Sequence, residues 1–218
     1  MEADVVKKRP GPSRIIVMVA VLAVGSLLTA GCVPLELTPA TPGKQPRADR
    51  TSRPSAGAKP TINIDRLEQR IHELVNQERA KHGLMPLAWN SKLNRIARLH
   101  SQDMVRRNYF SHYSPEGNDF SHRYSQQGYV CEVAVGKEYY TGAENIFENH
   151  LYESIEYINN VPSSYRWRSL EQIAQVTVAK WMNSPGHRAN ILEPNWKTEG
   201  IGVAVSNDYK VLITENFC

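Results

Sequence analysis

Ile64, Leu67, Ile71, Leu74 and Val75 recur every three to four residues ahead of Gly83, and predict an amphipathic helix over about residues 65–82. A second helix starts after Asn90 or Ser91, either of which can cap it, and places Leu93, Ile96, Ala97, His100, Met104 and Val105 on one stripe. A third runs over 169–183 with Leu170, Ile173, Ala174, Thr177, Val178 and Trp181 inward, and Ser184-Pro185-Gly186 ends it. Beyond it the pattern changes. Residues 200–206 and 209–216 are β-branched runs around Asn207-Asp208, which reads as a hairpin. Helices first and strands last predict an α+β domain with helices packed on a mixed or antiparallel sheet.

The first sixty residues follow no such pattern. Lys7, Lys8, Arg9 and Arg14 precede residues 15–31, a run of 17 without a charge. That is short of the roughly 20 residues a membrane span needs, and its basic start and small-residue end describe a secretory signal. It closes on Leu28-Thr29-Ala30-Gly31-Cys32, which resembles a bacterial lipobox, with Thr29 where Leu is preferred. The expectation is a signal peptide over 1–31 and lipid attachment at Cys32; a plain cleavage site or signal anchor is the alternative. Residues 32–60 read as a disordered linker, because six of the 13 prolines fall in 33–60 with almost no large apolar side chains. Residues 61–218 form the folded domain. A single acyl anchor would tether that domain to a membrane without spanning it.

Charge and cysteine usage narrow the function. Residues 1–60 hold 9 Lys/Arg against 4 Asp/Glu, leaving 26 − 9 = 17 against 22 − 4 = 18 in the domain. A near-neutral domain is not a nucleic-acid partner. With Cys32 lipidated, Cys131 and Cys218 remain, as a disulfide or as two free thiols; a bond would add up to about 4 kcal/mol. There is no CxxC, no GxSxG and no Gly-rich phosphate loop. His72-Glu73-Leu74-Val75-Asn76 lacks the second His of a zinc HExxH and reads as solvated helix surface.

Five ordered blocks remain: His100-Ser101-Gln102-Asp103-Met104, Asn108-Tyr109-Phe110-Ser111-His112, Ala143-Glu144-Asn145-Ile146, the twelve residues from Trp181 to Leu192, and Gly200-Ile201-Gly202-Val203-Ala204-Val205. Together they resemble the CAP superfamily of cysteine-rich secretory proteins, venom antigens and plant pathogenesis-related proteins, in its prokaryotic SCP-like form. The resemblance spans about 64–218 and implies a three-layer α-β-α sandwich. It also implies a pocket of two His and two acids, matched here by His112, Glu144 and His187. The fourth position, three residues after Trp181, is Ser184. Glu215, which shares side-chain parity with Tyr209, Val211 and Ile213, is the candidate replacement, with a solvated edge residue as the alternative.

The resemblance implies zinc held by His112 and His187, since two imidazoles with a carboxylate suit that borderline ion. The expected function is a membrane-tethered extracytoplasmic module whose His/Glu cleft takes a divalent ion and a lipid, peptide or envelope-polymer ligand. The alternative is a metal-assisted hydrolase, a peptidase, with His112, Glu144 and His187 as catalytic candidates. The absence of a supported nucleophile argues against catalysis, Ser111 being adjacent to His112 and better placed to cap backbone. Residues 148–168, rich in Tyr and Asn, read as a packed surface loop, with a ligand rim as the alternative.

Overall fold

A computed structural model describes residues 8–10 and 59–218; the lipobox, Cys32 and nearly all of the linker lie outside the described residues. Three long helices carry the frame: α1 (Ile64–Lys81), α2 (Ser91–Arg107) and α4 (Leu170–Asn183). Each begins where a polar side chain satisfies orphan backbone donors. Asn63 accepts from Arg66 N at 2.9 Å, and Asn90 from Lys92 N and Leu93 N at 3.0 and 3.1 Å. Ser169 and Gln172 form a reciprocal capping box on α4. Helix α2 ends on Asn108 in the left-handed region at φ 51°.

The main sheet has the order β2-β8-β9-β5, built from β2 (Ala88–Trp89), β5 (Ala143–His150), β8 (Thr198–Val205) and β9 (Lys210–Phe217). Strands β8, β9 and β5 are antiparallel, and β2 adds one short parallel pairing to β8. Helices α1 and α4 cover one face and α2 the other, so the architecture is α+β in three layers. The larger core, with Leu67, Ile71, Trp181, Ile201, Ile213 and Phe217, lies on the α1/α4 side.

On the opposite face α2 comes unusually close to β8. A Cβ on Gly200 would sit 2.0 Å from Asn94 N, and one on Gly202 would sit 1.9 Å from Arg98 N. The two glycines of the Gly200-Ile201-Gly202 block therefore set the depth at which α2 packs. Ser101 fixes that depth by bonding Gly202 O at 2.9 Å and the Thr214 hydroxyl at 2.8 Å.

The remaining elements are α3 (Phe120–Gln126), a small sheet of β1 (Lys8–Pro10), β4 (Glu138–Tyr140) and β3 (Val133–Val135), and the ribbon β6 (Tyr152–Ile158) and β7 (Val161–Trp167). One expectation holds with an addition and one needs correction. Ser184-Pro185-Gly186 ends α4 but at once starts α5 (Pro185–Ile191), because Pro is well suited to a first helical turn. Residues 148–168 are a hairpin rather than a packed loop, turning on Asn159 and Asn160 at φ 50° and 63°. Its root is packed: Tyr165 stacks on Trp167, and both meet Tyr209 edge-on. Cys131 and Cys218 form a disulfide across 87 residues, joining the end of β9 to the segment after α3.

Candidate functional site

The site is built around β5, the edge strand of the main sheet. Successive side chains there point to opposite faces, so Glu144 turns toward α2 and Asn145 toward α5 and β9. Glu144 is fully buried. Its Oε1 accepts from His112 Nδ1 at 3.0 Å, and its Oε2 accepts from Arg123 at 2.6 Å. His100 Nε2 stands 3.9 Å away. Burial alone would raise the Glu144 pKa, but Arg123 first, then His100 and His112, outweigh it and bring the carboxyl to about 2. Glu144 is therefore held as a carboxylate at neutral pH.

The loop that carries His112 is held from both sides. His100 Nε2 donates to Ser111 O at 3.1 Å, and Arg123 donates twice to His112 O, each at 3.1 Å. Arg123 thus grips the backbone of His112 and the carboxylate that orients its ring. Sequence reasoning missed it, and its one sequence signal is helical spacing three residues from buried Phe120. With Nδ1–H committed to Glu144, Nε2 on the opposite edge of the His112 ring is the nitrogen a metal would take. An imidazole oriented through its other nitrogen by a carboxylate is the usual outer-shell arrangement of a metal-binding His.

His187 arrives from the other flank, in the first turn of α5. Its carbonyl accepts from Asn145 Nδ2 at 3.2 Å, and Asn190 Nδ2 bonds Asn145 Oδ1 at 2.9 Å. His187 is 3% exposed, and among the described residues its Nε2 has no hydrogen-bond partner. Burial, then repulsion from His112, lowers the His187 pKa to about 4, so the ring is neutral at neutral pH with a lone pair available. Burial likewise brings His100 to about 4.

Among the residues singled out from the sequence, His112 and Glu144 are in direct contact, and His187 lies within electrostatic reach of His112. Glu215 goes elsewhere. It keeps the parity read from the sequence, but that parity directs it to the face opposite Glu144, where it is fully buried against Asn145 and Glu199. Ser184 is a half-buried residue between two helices. His72 is not solvated surface either; its Nδ1 contacts buried Glu199 at 2.5 Å. Among the described residues no three His, Cys, Asp or Glu converge as a metal-binding group. An ion held by His112 and His187 would complete its shell with water or ligand. The orphaned imidazole and the oriented one fit such an open site.

Beside the site runs a groove of about 480 Å³ between α2 and α3, bordered by the 114–118 loop. Leu99, Gln102, Gln126 and Gln127 line it, and it reaches His100 and Arg123. Its charges are largely matched: Arg107 pairs with Asp103 at 2.6 Å and also with Glu116.

The chain belongs to the CAP family: the model of the cysteine-rich secretory protein family matches residues 72–217. It is 33% identical over 145 residues to the Bacillus subtilis protein YkwD, covering 66% of this chain and 45% of that one. It is 30% identical over 136 residues to the Bacillus subtilis membrane protein YlbC, covering 62% of this chain and 31% of that one. The chain therefore spans less than half the length of these relatives. Among solved structures it is similar to an extracellular SCP-domain protein of Bacillus anthracis, with a TM-score of 0.51 and 25% identity over 73% of this chain and 44% of that one. An outer surface protein of Borrelia burgdorferi shares the fold, with a TM-score of 0.53 and 14% identity over 73% of this chain and 97% of that one. Among the described residues no helix is long and apolar enough to cross a membrane.

Proposed function

We propose that this protein is an exported CAP domain, tethered to the membrane through Cys32, that takes a divalent ion, zinc foremost, between His112 and His187. The adjoining groove receives a small ligand or a segment of an envelope component. The observation that carries this reading is the buried His187 Nε2, without a partner among the described residues, within electrostatic reach of an imidazole already oriented by a carboxylate. The extracellular and surface origins named for the two structural neighbours, and the signal-like run 15–31, support export.

Binding is favoured over hydrolysis on the chemistry of Glu144. A general base works best with a pKa near the operating pH, and Glu144 is held at about 2 with both oxygens engaged. The test is calorimetric titration of Zn²⁺ into the full-length protein and into His187→Ala and His112→Ala variants of unchanged melting temperature. The expected result is saturable one-to-one binding that both variants lose. An absence of saturable binding in the wild type would overturn the metal reading.

A further inference from the structure

Glu199 and Glu215 are both fully buried on the α1 side of the sheet, on neighbouring strands. Glu199 Oε1 receives His72 Nδ1 at 2.5 Å, and Glu215 Oε2 receives Asn145 Nδ2 at 2.8 Å. The other two oxygens, Glu199 Oε2 and Glu215 Oε1, have no donor among the described residues, and the two carboxyl groups lie within hydrogen-bonding reach of each other. Two carboxylate oxygens only accept, so they cannot stay in contact away from water unless a proton lies between them.

We propose that Glu199 and Glu215 share one proton, and that this proton holds Asn145 where it clamps the His187 carbonyl, so that its loss at alkaline pH frees the first turn of α5. The path is continuous. Asn145 Nδ2 serves both Glu215 and His187 O, while Asn190 of α5 holds Asn145 Oδ1. The pair with one proton carries a single negative charge. Helix α1 faces it with His72 and Arg79, whose buried guanidinium supplies a full positive charge. That guanidinium also binds Ile191 O at 2.6 Å and Glu193 O at 3.0 Å beyond α5, with the Glu193 carboxylate beside it. Strand β5 and helix α5 present uncharged amides, Asn145 and Asn190. When the proton leaves to solvent, two adjoining carboxylates face one arginine, and the charged Glu215 draws Asn145 Nδ2 more strongly, away from the His187 carbonyl. Burial and the neighbouring carboxyl hold the affinity for that proton well above the ordinary Glu range.

This device rests on the proposed site only in making His187 the residue positioned; the shared proton itself needs no metal. The test uses metal-free full-length protein, followed by infrared spectroscopy for a protonated buried carboxyl and by NMR of the His187 carbonyl and ring, from about pH 6 to about pH 9. The expected result is a carboxylic-acid band that fades across that range while the His187 signals shift with the same midpoint. In Glu199→Gln, or Glu215→Gln should the first fail to fold, the band is absent and His187 no longer follows pH in that range. No band at the acid end would overturn the shared proton, and a fading band with unmoved His187 signals would overturn its link to α5. Zinc binding enters neither readout, so a failed titration leaves this test intact.

Discussion

At Glu144 two opposing effects decide the character of the site. Desolvation favours the neutral acid, whereas a guanidinium and two imidazoles favour the anion and win. Arg123 is the other half of that balance, since it also fixes the His112 carbonyl. Replacing Arg123 with Met leaves Glu144 buried without its main counter-charge, and the expected cost is about 3–5 kcal/mol in denaturant unfolding. Arg123→Lys should recover only part of this, because a single ammonium cannot reproduce the forked contacts to the carbonyl and carboxylate. His112, Glu144 and His187 were picked out by local blocks, and the structure brings the first two into contact. Arg123 was not, because its role depends on contacts 11 and 21 residues away that only the fold creates. Glu215 shows the same limit from the other side: parity along β9 was readable, but which face would lie next to the cleft was not.

Among the elements, α2 and β8 show how a short motif sets the architecture. Gly202→Ala drives a methyl into the α2 backbone at Arg98, so a loss of about 1–3 kcal/mol or more is expected by thermal or chemical denaturation, as for overpacked cores. The β6–β7 ribbon predicts an opposite contrast between tip and root. Ile158 and Val161 are 66% and 64% exposed, so serine at either should move stability by no more than about 0.5 kcal/mol. Trp167, 7% exposed and stacked on Tyr165, should cost about 3–5 kcal/mol when cut to alanine. The first and third long helices, the start of the second and the final hairpin were readable to within a residue or two, since each carries a clean period or stop signal. The ribbon was not, because Asn159-Asn160 turns without a glycine and β6 and β7 have little buried face to produce an alternating pattern.

For the whole molecule, the buried titratable groups predict how stability depends on pH. His100 and His187 titrate near pH 4 when folded against 6.5 in the open chain, so the unfolded state binds more protons between those values. Stability therefore falls as pH drops through that window, and falls further as Glu144 is protonated between 4.5 and about 2. Glu199 acts in the opposite sense. Burial and the adjoining Glu215 raise its folded affinity for the shared proton above the ordinary Glu range, so the stability that proton contributes at low pH is lost as pH rises. Melting temperature against pH should thus decline on both sides of a maximum, and Glu199→Gln should flatten the alkaline side alone. The order of helices and strands was enough to read an α+β fold, but not the parallel β2 pairing, which is two residues long. The central claim concerns the ion proposed between His112 and His187 on the flank of β5. Anomalous diffraction at the zinc edge from crystals grown with Zn²⁺ looks for that ion directly. The account predicts one strong peak bonded to His112 Nε2 and His187 Nε2; a cleft without a peak, or zinc bound elsewhere on the chain, would contradict it.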